Sequence, residues 1–363
     1  MFSTAYLLRN GVLPAQIFLA WSAILASRLV LRPLVLFVVP RFGLRLAFVL
    51  GTFLCGLQFL FLPMVQGIGI GLALFCAATA LSQVFYCTCY HVFYASLGDI
   101  DHRGSQIGAR QAVSALAEVL GPLAGGLSLT LFGPWPAFGA AFVLQMAAIV
   151  PLLYVAEPAV KQYAPRNAYA EAKVGFRLFF ADGWIQISSA TAWSILMFHA
   201  LGERYDSFGA VFSAAALAGA LGGMVLGRFI DMGHARSIVL INASILAGTL
   251  ILKSLCGQSP QGVIAVAIIA TMLSGFYIPC WMTAVYNEAK AAPCTFRFHF
   301  AAEGGWDIGG AIAGLIAAAL CAYSLPIEAA ILLALPAVAG QALLLRKSYR
   351  REPRAMVTAP GYR

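Results

Sequence analysis

Charge is what this sequence lacks. Only 10% of its 363 residues are Asp, Glu, Lys or Arg, against about 25% in a typical soluble domain. That shortage excludes an ordinary water-soluble globule. The eight cysteines form no CxxC pair, so neither a zinc ribbon nor a thiol redox couple is indicated. No GxxxxGK phosphate loop occurs, which argues against an ATP-driven pump. HExxH and GxSxG are missing as well, and the chain reads as a non-enzyme without a cofactor. The opening MFSTAYLLRN has neither the basic start nor the sustained apolar core of a secretory leader.

What is present is apolar: 61% of the residues are hydrophobic, and the mean hydropathy is +0.86. Apolar runs of about 20 residues read as transmembrane helices. Loop punctuation divides the chain into eleven such segments, at 13–39, 44–66, 69–96, 108–133, 135–156, 176–200, 205–230, 236–257, 262–286, 298–323 and 325–346. The expectation is an all-α integral membrane protein, probed by lipid on every side and lacking any nucleic-acid role despite its net charge of +9. Its basic residues sit in short loops and in the tail RKSYRREPR, which suits anionic lipid. The loops alternate in charge. Eighteen Lys and Arg fall on one side and only Arg9 and Arg204 on the other. The positive-inside rule then places the C-terminus in the cytoplasm of a bacterial-type inner membrane.

The chain also repeats itself. EVLGPLAGG (118–126) and DIGGAIAGL (307–315) both read acid-x-x-Gly-x-x-Ala-Gly, at an offset of 189. Gly43 and Gly233, and Tyr94 and Tyr286, recur at nearly the same interval. Two similar halves in parallel topology follow, an arrangement used by some transporters. The division reads as a first bundle at 1–156, a central loop at 157–177, a second bundle at 178–346 and a basic tail at 347–363. Sliding the sixth span back by the repeat length makes residues 1–10 the end of a first helix.

With these features in place, the chain resembles the major facilitator superfamily. VPRFGLR (39–45) is similar to the family's loop between its second and third helices through Arg41, Gly43 and Arg45, with Pro40 at the usual aspartate position. GRFIDMGHAR (227–236) resembles the second-half copy, with Gly227, Asp231 and Arg236 as gating candidates. GPLAGG (121–126) resembles the Gly-Pro-x-x-Gly-Gly signature of proton-coupled exporters. The resemblance implies helices two to twelve of a two-bundle fold, acting as a monomer, with a central cavity and alternating access. It implies secondary transport of a small molecule coupled to protons, leaning to efflux. Uptake of a small organic acid and a non-transporting scaffold or sensor are the alternatives.

Ionisable groups inside spans are functional candidates. Glu118 and Asp307 occupy matched repeat positions and would be proton carriers, or else members of structural ion pairs. Burial would favour their neutral forms. The stripe of Gly121, Pro122, Gly125 and Gly126, and its partner Gly310 and Gly314, would give close-packing or bent helix faces. Arg28 and Arg32 lie one turn apart, and the resemblance implies that their helix packs near the one carrying Glu303 and Asp307; Arg28 is then expected to pair with Asp307 and Arg32 with Glu303, or Arg28 to bind an anionic substrate. Gln83, Tyr86 and Tyr90, then Trp184 and Gln186, then Tyr277, Trp281 and Asn287 would line the cavity, with ordinary packing as the alternative for each aromatic. In CTCYH (87–91), only Cys87 and His91 share a helix face, which is too few ligands for a metal.

Overall fold

The computed structural model describes residues 2–96, 103–157, 169–170, 172–230, 235–257, 259–274 and 277–351. Every regular element among them is helical. A short α1 (Phe2–Arg9) precedes eleven rods, several of them broken where the backbone loses a hydrogen bond. The first rod is α2 (Pro14–Leu31) and α3 (Pro33–Phe42), interrupted at Pro33, where Val35 N–H bonds back to the Arg32 carbonyl at 3.0 Å. Then come α4 (Leu44–Phe61), α5 (Ile70–Ser96) and α6 (Arg103–Phe132). The fifth rod, α7 (Pro134–Ala147) and α8 (Ile149–Tyr154), breaks just ahead of Pro151, whose ring cannot donate to the preceding turn.

The second half starts with α9 (Lys173–Ile185), a π turn (Gln186–Ala190) and α10 (Thr191–Ala200). The hydroxyls of Ser188 and Ser189 donate to the Trp184 and Ile185 carbonyls at 2.7 and 2.6 Å, serving backbone acceptors at the wide turn. It continues with α11 (Tyr205–Ile230), α12 (Ala235–Leu255), α13 (Pro260–Ser274) with α14 (Tyr277–Ala291), α15 (Thr295–Ala322), and α16 (Ile327–Leu332) with α17 (Leu335–Arg351). Among the described residues, seven helices are long and apolar enough to cross a membrane by length and composition. Large apolar side chains such as Leu116, Leu131 and Leu144 lie exposed, as lipid-facing residues do.

Two edges bear on the division into bundles, loop and tail. α9 begins at Lys173, inside the stretch read as central loop, because Gly175 and Leu178 are already buried, with Gly175 against Phe298 and Ala302. α17 runs on to Arg351, into the stretch read as tail.

Helix contact is closest where glycine permits it. A methyl at Gly183, Gly305 or Gly309 would strike the backbone carbonyl of Trp306, Phe176 or Phe180, so α9 and α15 meet backbone to backbone. α15 also crosses to the other half, where Gly310 lies against Leu25 and Gly314 against Ser22 and Phe18 of α2. A second crossing joins α6 to α11, through Pro122 and Gly126 against Tyr205 and Gly209.

At the basic end, Gly43 turns the chain at φ +87°. α4 has no side-chain cap of its own, and Glu157 supplies one: its carboxylate accepts from Leu44 N–H at 2.5 Å and Arg45 N–H at 3.2 Å. Arg45 donates in turn to the Leu153 and Val155 carbonyls at 3.2 and 3.3 Å, while the Arg41 guanidinium lies 3.5 Å from the Phe37 ring centroid. Glu157→Ala is expected to lower stability by about 1 kcal/mol, the usual worth of a helix cap, and Glu157→Gln by less. A melting curve of the purified protein checks the order. At the opposite end, Phe2 and Tyr6 of α1 pack edge-on against Phe208 and Phe138, and Arg9 donates to the Glu203 carbonyl at 2.7 Å.

Candidate functional site

α2 presents Arg28, and the α2–α3 junction presents Arg32, both toward α15. α15 answers with Glu303 and Asp307, also one turn apart. All four side chains are buried, none more than 4% exposed. Arg28 Nη2 lies 2.5 Å from Glu303 Oε2 and its Nε 2.7 Å from Asp307 Oδ1. Arg32 grips Asp307 Oδ2 with both Nε, at 3.1 Å, and Nη2. Its separation from Glu303 is 3.9 Å. On the α5 side, Arg28 Nη1 donates to Gln83 Oε1 at 2.8 Å and Arg32 Nη1 to Thr88 Oγ1 at 3.5 Å.

The sequence reading paired Arg28 with Asp307 and Arg32 with Glu303. The structure contains both of those pairs, Arg28 with Asp307 at 2.7 Å and Arg32 with Glu303 at 3.9 Å, and adds the cross contacts Arg28 to Glu303 and Arg32 to Asp307, so the four charges form one lattice. Both acids lie within reach of both guanidiniums because two residues one turn apart on each helix face each other across a glycine-narrowed gap. Burying each ion costs several kcal/mol, which is recovered only by good geometry and further hydrogen bonds. The lattice has the further hydrogen bonds, from Arg28 to Gln83 and from Arg32 to Thr88, while Arg28 Nε and Asp307 Oδ1 approach at 2.7 Å as an ion contact without hydrogen-bond alignment.

Sequence reasoning missed three members of this region. His91, weighed there only as a metal ligand, places Nε2 3.1 Å from Glu303 Oε1 and Nδ1 3.1 Å from Tyr286 Oη. The Nε2–H tautomer donates to the carboxylate and accepts from the phenol. His299 stacks on His91, with ring centroids 5.3 Å apart and planes at 13°. Asp182, on α9, accepts from Tyr277 Oη at 2.7 Å and from Trp306 Nε1 at 2.9 Å. The Trp306 ring lies 5.2 Å from the Arg28 guanidinium. The available signal was the plain one: an acid inside an apolar span, and His299, Glu303 and Asp307 spaced by four on one helix face.

The other candidates separate. Glu118 is exposed on α6, outside the lattice. The premise of a buried carboxylate matched to Asp307, which has no exposure, does not hold for it. The repeat aligned sequence positions, but α6 turns a different face inward. Gly121 and Gly125 look into open space, so the packing expected of that whole stripe falls to Pro122 and Gly126 alone. Tyr86 and Tyr90 stack on each other at 6.1 Å. Trp184 donates to the Leu333 carbonyl at the α16–α17 break, at 2.9 Å, a structural use. Trp281 is buried edge-on to Phe179. Gln186 opens the π turn. Gly227, Arg236 and Asn287 lie in α11, α12 and α14, with their side chains outside the described residues, as is Asp231 altogether.

Two helical bundles meet through buried charges on their facing helices, and several of the described helices are long and apolar enough to cross a membrane. The model of the Major Facilitator Superfamily matches residues 3–293, and the chain belongs to that family. Its members act within a lipid bilayer, and this chain is a multi-pass membrane protein and a transporter of small molecules. No curated protein matches it in sequence. Among solved structures, it is similar in fold to the human organic anion transporter MFSD10, at 15% identity and TM-score 0.61 over 91% of this chain and 84% of that one. FucP in its outward conformation matches at 12% and 0.62, over 95% and 97%. The nucleoside transporter NupG matches at 11% and 0.66, over 96% and 94%.

Proposed function

We propose that the chain is a proton-coupled carrier of small organic anions, and that the Arg28–Arg32–Glu303–Asp307 lattice couples the two. The observation that carries this reading is the lattice's position: its cations belong to one half and its acids to the other. Alternating access must part α2 and α3 from α15. Parting strands four charges in a low-dielectric interior, where each is costly. A proton taken up by a buried acid beside the lattice offsets the charge that a substrate carboxylate brings to a guanidinium fork, and arginine suits a carboxylate because it binds it bidentately. Similar folds serve an organic anion transporter and, in the Escherichia coli protein FucP, a fucose:proton symporter. The lopsided basic loops support an inner-membrane location with the C-terminus in the cytoplasm.

The test is flux into proteoliposomes of labelled lactate, succinate and benzoate, beside neutral fucose and a cationic dye, with and without a pH gradient. For one proton per monovalent anion, accumulation should rise about tenfold per pH unit, acid outside. Arg32→Gln should bring it to background, and Glu118→Gln should leave it in place. Flux indifferent to the gradient, or confined to neutral and cationic compounds, sinks the reading. A second reading, proton-driven export, is favoured by the tight seat of Pro122 and Gly126 on α11, the part of GPLAGG that resembles exporters. Net extrusion under the same gradient would select it.

A further inference from the structure

Three carboxylates are buried along α9 and α15, but only two guanidiniums meet them. Glu303 and Asp307 take both. Asp182, 6% exposed, pairs with no Lys, Arg or His among the described residues. We propose that Asp182 is the group that binds the coupled proton, a proposal that rests on the proton-coupled reading above.

The surroundings fit that task. Facing Asp182 are Tyr277, with Cys280 beyond it, from α14; Trp306 and the like-charged Glu303 from α15; Gln186 from the π turn; and Gln341, beside Tyr277, from α17. None is a cation. Glu303 and Asp307 each face two guanidiniums, whereas Asp182 faces neutral hydrogen-bond partners and a second acid. Both forms of Asp182 keep their hydrogen bonds. The carboxylate accepts from Tyr277 Oη and Trp306 Nε1. The protonated acid donates its new O–H to Tyr277 Oη, which can also accept, while Trp306 still donates to Oδ2. Loading therefore removes one buried negative charge and reverses the bond to Tyr277, whose own O–H turns to another acceptor. The change reaches the interface through Trp306, whose N–H holds Asp182 and whose ring lies under Arg28. The π turn that follows Asp182 by four residues is a feature common at functional sites.

The test needs no substrate. Infrared difference spectra of the purified protein in liposomes, between acid and alkaline buffer, report protonated carboxyl groups by their carbonyl stretch. Wild type should show a band that titrates, Glu118→Gln should retain it, and Asp182→Asn should lose it. A band of full amplitude in Asp182→Asn overturns the proposal, and so does its absence from wild type. Gradient-driven anion flux measured on the same wild-type preparation separates the cases. If flux persists, only the assignment to Asp182 falls; if flux is also absent, the proton-coupled reading falls with it. Should Asp182→Asn fail to fold, Asp182→Glu serves: its band should move in frequency and midpoint, and an unmoved band overturns the assignment.

Discussion

Asp307→Asn is expected to destabilise the protein by about 3–5 kcal/mol, the usual result of removing one partner from a buried ion pair. The reason lies in the geometry. Asp307 is the acid that Arg32 holds through two nitrogens, and it also meets Arg28 Nε at 2.7 Å. Without its charge, Arg32 retains only a 3.9 Å approach to Glu303 and a long bond to Thr88. Two guanidiniums then share one carboxylate in a site that excludes water. Arg32→Gln should be damaging for the mirror-image reason, leaving two acids on Arg28. The double variant Arg32→Gln/Asp307→Asn should recover much of the loss, because the Arg28–Glu303 contact at 2.5 Å remains and the site is again balanced. Melting curves of the four proteins in one detergent form the cycle. A double variant as unstable as the sum of the singles would show that Arg32 and Asp307 do not act as a pair.

Much of this architecture was legible because it is written in patterns of physical necessity. An apolar run has to be a helix in lipid, so the eleven segments emerged from hydropathy alone. The arginines had to find acids, and the family resemblance implies that the helix carrying them packs near the one carrying Glu303 and Asp307, which pointed to α2 beside α15. What was not legible depended on helix rotation. EVLGPLAGG and DIGGAIAGL align residue for residue, yet Asp307 is sealed between halves while Glu118 is exposed. A one-dimensional repeat fixes neighbours along a helix and says nothing of which face a neighbouring helix will cover. His91 and Asp182 were missed for a related reason. Their partners, Glu303, Tyr286, Tyr277 and Trp306, come from helices distant in sequence, so no local spacing announces them.

The same contrast predicts opposite signs for one substitution at glycines that look alike in sequence. Gly→Ala in a helix interior gains about 0.8–1 kcal/mol in propensity when nothing obstructs the methyl. Gly121 and Gly125 have nothing near the added carbon, so Gly121→Ala and Gly125→Ala should leave stability unchanged or raise it by up to about that amount. At Gly305, the methyl would strike the Phe176 carbonyl oxygen and lie 2.9 Å from its carbon; at Gly309, it meets the Phe180 carbonyl in the same way. These neighbours are backbone within a helix and cannot rotate aside, so α9 and α15 must separate. Overpacking of this kind costs about 1–3 kcal/mol and sometimes more, and Gly305→Leu should exceed Gly305→Ala. The damage should not stay local, because α15 carries Glu303 and Asp307 on the face toward α2 and Trp306 toward Asp182. Moving α15 off α9 shifts both acids relative to Arg28 and Arg32. Gly305→Ala is therefore expected to lose melting temperature and gradient-driven flux together, while Gly121→Ala keeps both. Equal stability in the two variants would mean that the α9–α15 contact is looser than its glycines require.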